Sequence, residues 1–235
     1  MIFAVLPVKS PRNAKQRLSG FLSAEQRETL ARILYRQTLA SLCQAEGIDR
    51  VVVVTSDSEI AEHARRSGAL VFDENAQVSH SVSADAACLR AIQLGATTVL
   101  LVPIDVPLVT PADFTRLAAA ARPRAHGSPH GSPQVGPQAS SQPGPQAKLI
   151  VVPSADGTGT NALARTPPDV IESRFGPGSC RAHLDQARSK SVHSEVLRLR
   201  GLMFDIDTPE DVAEFLAGPH ESDAAAFLRT VCASK

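Results

Sequence analysis

Four cations stand within nine residues: Lys9, Arg12, Lys15 and Arg17, in the segment Pro7-Val8-Lys9-Ser10-Pro11-Arg12-Asn13-Ala14-Lys15-Gln16-Arg17-Leu18. Pro7 and Pro11 keep this stretch from running on as a helix. Positive charge on a loop after a short apolar run suits a polyphosphate, because a leaving pyrophosphate gains charge in the transition state. A solvated basic loop would carry the same residues. The segment matches neither G-x-x-x-x-G-K-[ST] nor G-x-G-x-x-G, so P-loop and dinucleotide-binding readings lose their main support.

Carboxylates follow two other runs. Asp105, in Pro103-Ile104-Asp105-Val106-Pro107-Leu108, comes just after Val99-Leu100-Leu101-Val102 and is placed to hold a divalent cation. A turn-forming or capping Asp would look alike. Met203-Phe204-Asp205-Ile206-Asp207 reads as the acidic end of a short strand, with Asp205 and Asp207 on one face. Thr208-Pro209-Glu210-Asp211 then opens a helix. Capping accounts for Asp207, Thr208 or Asp211, but it leaves Asp205 without a task.

Donor-rich turns complete the set. Pro153-Ser154-Ala155-Asp156-Gly157-Thr158-Gly159-Thr160-Asn161-Ala162-Leu163 offers N–H groups and hydroxyls to an anion, though Asp156-Gly157 would equally make a hairpin turn. Phe175-Gly176-Pro177-Gly178-Ser179 precedes the helical run Cys180–Ala187, so Ser179 is either a cap or an anion ligand. Of the seven histidines, His63 falls in a helical pattern, and His126 and His130 in a polar stretch. His183, just after Ser179, is the one near the candidate chemistry.

These groups need elements to position them. Ile2–Leu6, Val51–Val54, Ala69–Phe72, Thr98–Val102 and Leu149–Val152 read as short buried strands. Helical patterns lie between: one opened by Ser23-Ala24-Glu25-Gln26, then Glu59–Arg66, Ala84–Leu94 and one opened by Thr110-Pro111. Alternation of this kind gives an α/β fold, a mostly parallel sheet with helices on both faces. Ligands in such sheets bind beyond the carboxyl ends of the strands. The candidate residues all follow apolar runs, where that rule puts function.

Composition bounds the rest. The chain has 235 residues, with 24 basic and 24 acidic side chains, and this zero net charge argues against a nucleic-acid partner. No apolar run approaches the roughly 20 residues of a membrane span. Met1–Pro7 lacks the basic leader of a signal peptide. The four cysteines (Cys43, Cys88, Cys180, Cys232) are widely spaced and read as reduced, so a cytoplasmic location is expected. Six of the 17 prolines fall in Arg122–Ala147, whose one aliphatic residue larger than Ala is Val135. That stretch reads as a disordered insertion, because it cannot bury enough apolar area to offset ordering. One domain over 1–218, interrupted at 122–147, and a tail over 219–235 forming a short helix through Phe227, Leu228 and Val231 are therefore expected. A homodimer is a further possibility.

The set P-V-K-(x5)-A-K-x-R-L, P-I-D-V-P-L, V-P-S-x-D-G-x-G-T-N-A-L, F-G-P-G-S and D-I-D-T-P-E-D resembles the guanylyltransferases of coenzyme F420 biosynthesis. Those are the 2-phospho-L-lactate or phosphoenolpyruvate guanylyltransferases, and the resemblance runs from Met1 to about Leu216 outside the insertion. It implies a single-domain nucleotide-diphospho-sugar-transferase-like fold, GTP as donor, magnesium as cofactor and a small phosphorylated acid as acceptor. By position, Lys9, Lys15 and Arg17 would hold the triphosphate. Asp105 and Asp207, with Asp205, would bind the metal; Lys15, Arg17, Asp105 and Asp207 would carry catalysis. Thr160, Gly176 and Ser179 match contacts to a phosphorylated three-carbon acid: phosphoenolpyruvate, 2-phospho-L-lactate or 3-phosphoglycerate.

The family's G-L-N-like motif, on the loop facing the base, is replaced here by Val78-Ser79-His80-Ser81-Val82-Ser83-Ala84-Asp85-Ala86-Ala87. Ser81, Ser83 and Asp85 are then the candidate readers of the purine edge, Ser81 and Asp85 foremost, a carboxylate suiting guanine's N1–H and N2 amine. Two other readings share part of the pattern. One is a different nucleotidyltransferase of the same fold, of molybdenum-cofactor or sugar-phosphate type; the other is a non-catalytic nucleotide-binding module.

Overall fold

In a computed structural model that describes residues 1–74, 79–122 and 147–233, alternation along the first strand sets the architecture. Strand β1 (Ile2–Pro7) sends Ile2, Ala4 and Leu6 into one apolar cluster and Phe3 and Val5 into another, all five buried. A strand buried on both faces needs a layer of helices on each side. Helices α1 (Ala24–Gln44), α2 (Ser58–Arg66) and α4 (Pro111–Ala121) cover the first face through Tyr35, Leu39, Ile60, Phe114 and Leu117. Helices α3 (His80–Gln93) and α5 (Ser179–Ser189) cover the second through Ala84, Ala87, Cys88 and Ala187.

The sheet has seven strands in the order β3-β2-β1-β4-β6-β5-β7. Strands β2 (Arg50–Thr55), β3 (Leu70–Asp73) and β4 (Thr98–Leu101) run parallel with β1, as expected from their apolar runs. Chain order reverses at β1, which lies between β2 and β4. The crevice beyond the carboxyl ends of β1 and β4 is thus the switch point where open α/β sheets bind ligands.

The expected run Leu149–Val152 forms the fifth strand, and two further strands lie outside the expected set. β5 (Lys148–Pro153) and β6 (Thr160–Thr166) form an antiparallel hairpin, and β6 inserts antiparallel against β4. β7 (His193–Val196) adds a short parallel edge. The sheet is therefore mostly parallel, as expected, with β6 the one strand that runs against its neighbours. Asp205 and Asp207 do not end a strand: α6 (Arg200–Met203) precedes them, and the chain between it and α7 (Pro209–Ala217) is irregular. Asp211 accepts from the amides of Asp207 and Thr208, at 2.9 and 2.7 Å, which bends that segment into the cap of α7.

The tail folds as α8 (Asp223–Ala233) and buries Leu228 and Val231, with Phe227 half-buried, against Leu30 and Leu34 of α1 and Phe215 of α7. The Arg122–Ala147 insertion falls, apart from its two ends, outside the described residues. No helix among the described residues is long and apolar enough to cross a membrane.

Candidate active site

A cleft of about 1000 Å³ opens beyond the carboxyl ends of β1 and β4. Its walls come from five stretches distant in sequence. Pro7, Lys9 and Arg17 follow β1; Leu101 to Asp105 follow β4; Ser154 to Asn161 form the β5–β6 turn; Phe175 to Ser179 lead into α5; and Asp205, Asp207, Thr208 and Asp211 lead into α7. His80 and Ala84 close one side from the first turn of α3.

At one end the charges meet. The Lys15 Nζ donates to Asp105 Oδ2 (3.3 Å), Asp207 Oδ1 (3.0 Å) and the carbonyl of Ile206 (2.6 Å), with a side chain only 6% exposed. Burial pulls the ammonium's pKa down, but Asp105 and Asp207 outweigh it and leave the value raised. Lys15 adopts a left-handed backbone (φ 52°), a conformation a non-glycine residue keeps only when its surroundings impose it. Two single 3₁₀ turns, Pro11–Asn13 and Gln16–Leu18, flank it and aim the side chain inward. Arg17 is largely exposed and reaches Asp207 Oδ2 at 3.6 Å. Asp205 sits beside them, its carboxyl held above its usual pKa by burial and by Asp105, against the Asn161 amide that donates to it at 3.2 Å. Asn161 also donates to the carbonyls of Leu202 and Met203 at 3.0 Å, tying β6 to the acidic segment.

At the other end the groups are neutral. Ser179 is buried at the first turn of α5, whose N-cap is Gly178 at φ 71°; Gly176, at φ 128°, makes the turn before it. Both conformations are open to glycine at no steric cost. Thr160 Oγ1 lies 3.1 Å from His183 Nδ1. The His183 ring is fully buried, and burial, with Arg165 and Arg174 near, pushes its pKa down to about 4.

The β5–β6 turn itself is less open to an anion than its composition promised. Gly157 N–H donates to Ser154 O, Thr158 N–H to Asp156 and Gly159 N–H to the Ser154 hydroxyl. Asp156 also accepts from the Ser154 and Thr158 hydroxyls, which hold its pKa down to about 2. The hairpin reading of Asp156-Gly157 holds: these donors shape the turn, and Thr160 at its exit is one of the turn residues that line the cleft.

The structure gives Ser81 and Asp85 a task other than reading a base. Neither lines the cleft. Asp85 accepts from Arg165 Nη1 at 2.9 Å and from the amide and hydroxyl of Ser173. Arg165, on β6 and 1% exposed, also donates to the carbonyl of Ile171 and to Cys88 Sγ. Ser81 accepts from the amide of Phe175 at 3.0 Å, and His183 Nε2 from the amide of Arg174 at 2.9 Å. Three consecutive backbone amides, 173 to 175, therefore each end on a side chain of α3 or α5. The loop that carries Gly176 is fastened at every residue on its approach.

His80 and Asn161 are cleft residues that motif reasoning left without a role. His80 meets Phe175 edge to face at 4.8 Å, and Phe175 meets His183 at 5.4 Å, so an aromatic column backs this side of the cleft. Nothing in the order of residues announced it, since the three rings come from two helices and a loop.

A model of the MobA-like NTP transferase domain matches residues 28–200. The phosphoenolpyruvate guanylyltransferase of Sphaerobacter thermophilus is 35% identical over 92% of each chain. The 2-phospho-L-lactate guanylyltransferase of Methanothermobacter thermautotrophicus is 28% identical over 96% of this chain and 89% of that one. Among solved structures, a protein from Desulfovibrio desulfuricans described as a nucleotide-diphospho-sugar transferase superposes with a TM-score of 0.73, at 14% identity, over 99% of this chain and 95% of that one. With the fold, the cleft and these matches in agreement, the chain is a nucleotidyltransferase of the MobA-like NTP transferase family, in the group that holds the phosphoenolpyruvate and 2-phospho-L-lactate guanylyltransferases.

Proposed function

We propose that this protein transfers GMP from GTP to the phosphate of a phosphorylated three-carbon acid and releases pyrophosphate, as a step of coenzyme F420 biosynthesis. One observation carries the reading. The cleft joins a cluster of opposed charges (Lys15, Asp105, Asp207) to a neutral, donor-lined end (Thr160, Ser179), in one cavity of about 1000 Å³. A nucleoside triphosphate and a small anion together need a site of that size and that polarity.

The acceptor brings its own nucleophile. A phosphate monoester has its second pKa near 6, so its oxygen is ionised at neutral pH and no general base has to remove a proton. An acceptor oxygen attacks the α-phosphorus in line, the bond to the β-phosphate oxygen breaks, and the electron pair leaves with pyrophosphate. Repulsion between two phosphates is then the obstacle, and fixed cations and positioning are the remedy. Lys15, aimed by its left-handed backbone, stands where it can move from the carboxylates to the triphosphate. Arg17 and Lys9 line the mouth and meet the outer phosphates. Thr160, Ser179 and the turn at Gly176 orient the acid.

Asp105 and Asp207, with Asp205 beside them, suit magnesium. Their oxygens converge on the one point that Lys15 Nζ fills, and magnesium is usually held by one or two carboxylates together with substrate phosphates. Among the described residues no group of three His, Cys, Asp or Glu side chains is placed to hold a metal ion, so Asp205 is not drawn in as a third ligand. The cation, when bound, neutralises charge on the triphosphate.

One observation favours testing a second nucleotide. Ser81 and Asp85 accept from the 173–175 loop and do not line the cleft, which weighs against them as readers of guanine. Incubation with magnesium, each of GTP, CTP, ATP and UTP, and each of phosphoenolpyruvate, 2-phospho-L-lactate and 3-phosphoglycerate, read by mass spectrometry, tests both halves. A GMP adduct of one acid supports the reading. Pyrophosphate release with another nucleotide alone, or with none, refutes it.

A further inference from the structure

His183 touches both the fastened loop and a residue of the cleft. We propose that it is a positioning residue: it fixes the hydroxyl of Thr160 as a hydrogen-bond donor aimed at the anionic oxygens of the bound acid. The choice of ligand rests on the function proposed above; the orientation of the hydroxyl does not.

Proton counting at the ring decides the polarity of the contact. The amide of Arg174 is a backbone N–H and can only donate, and it lies 2.9 Å from Nε2. Nε2 therefore carries no proton. A neutral imidazole has one, which sits on Nδ1. Nδ1 is 3.1 Å from Thr160 Oγ1, so the ring donates and the hydroxyl oxygen accepts. Among the described residues the hydroxyl has no second partner, and Thr160 lines the cleft. Its proton is left to whatever binds there. The cleft is thereby offered a donor, which an oxygen of a phosphate or carboxylate accepts and which a ligand N–H cannot use.

Two features keep this arrangement from relaxing. The ring is fully buried and packs edge-on against Phe175 at 5.4 Å, so its plane is held. An imidazolium would set an N–H against the Arg174 N–H. Burial and the nearby Arg165 and Arg174 oppose that form, and Asp85 alone favours it. Of α3, Ser81 and Asp85 hold the loop, Cys88 accepts from Arg165, and none is a partner of the ring nitrogens.

Long-range 1H–15N spectra of the 15N-labelled full chain report the tautomer, with the His183 signals assigned by their loss in His183→Gln. A ring protonated at Nδ1 and bare at Nε2, across about pH 6 to 8, is the expected result. A ring protonated at Nε2, or at both nitrogens, overturns the proposal. This measurement uses no substrate, whereas the proposed function fails on its own if the wild-type chain transfers nucleotide to none of the acids. Where turnover is seen, Thr160→Val and His183→Gln are each expected to raise the acceptor KM about tenfold, the scale of one hydrogen bond to a charged group. KM for the nucleotide should stay unchanged, Thr160→Ser should recover most of the loss, and the double variant should be no worse than Thr160→Val. Additive losses, or an equal rise in KM for the nucleotide, show His183 to be merely structural and overturn it.

Discussion

At the Lys15 end of the cleft, charged side chains hold one another across distances of 3.0 to 3.6 Å, and two of the three carboxylate and ammonium partners remain about a third exposed. At the His183 end, Thr160, Ser179 and His183 are neutral, and the ring and Ser179 are shut away from solvent. The contrast suits the roles proposed for the two ends. Groups that meet a triphosphate must exchange partners during the reaction, so their pairings are contacts that incoming charge can replace. Groups that recognise a small acid must present one shape, so their polar atoms are assigned in advance by buried neighbours.

The largest expected effect breaks the charged end. Asp105→Asn keeps the shape and removes the charge facing Lys15. Magnesium-dependent pyrophosphate release should fall by about 10²–10³-fold or more, the range of electrostatic transition-state groups. Circular dichroism should show the fold unchanged. Equal rates in the two proteins would detach Asp105 from catalysis.

Next comes the scaffold of the neutral end. Asp85→Ala leaves Arg165 buried without its carboxylate and frees the Ser173 amide. Removing one partner of a fully buried pair costs about 3–5 kcal/mol; Asp85 is about a third exposed, so urea denaturation should show a smaller loss than that. The loss of activity should fall on the acceptor KM. A nucleotide KM that rises in step would restore Asp85 to the base-facing role its sequence position suggested.

The smallest effect is a slope. His183 is neutral in the fold with a pKa near 4, and its unfolded value is the ordinary 6.5. The unfolded chain therefore binds more protons between those values, and its stability contribution is whole above pH 6.5 and lost as pH falls toward 4. The shift corresponds to roughly 3 kcal/mol at most. His183→Gln should flatten the fall in stability between about pH 6.5 and 4 relative to wild type. Parallel curves would mean that the ring is less isolated than its burial implies.

The charged end was the more legible in sequence, for a physical reason. Lys15, Asp105 and Asp207 pair through charge, the first two soon after apolar runs, and both the charge and the runs are visible along the chain. Strands β1 to β5 were equally plain, because their buried stretches leave short apolar runs in the sequence. β6 was not. It carries Asn161 and Arg165, residues that read as loop, and only the partners of Arg165 on α3 and at Ile171 allow a guanidinium in a buried strand. β7 is a four-residue edge with a polar, half-exposed pattern, too short to leave a period. The alternation of Asp205 and Asp207 predicts a strand end, yet the cap formed by Asp211 bends that segment. Ser81, Asp85 and His183 serve backbone amides some 10 to 90 residues away, and no local pattern encodes such a pairing.

The three fastened amides bear on the timing of recognition. Holding residues 173 to 175 with Asp85, His183 and Ser81 spends the loop's conformational entropy during folding, so little is left to lose when the acid arrives. A loop set in advance does not delay capture by a slow ordering step, and selectivity between acids must then lie in how long each stays. Loosening any one of the three fastenings should slow association before it changes which acid is preferred.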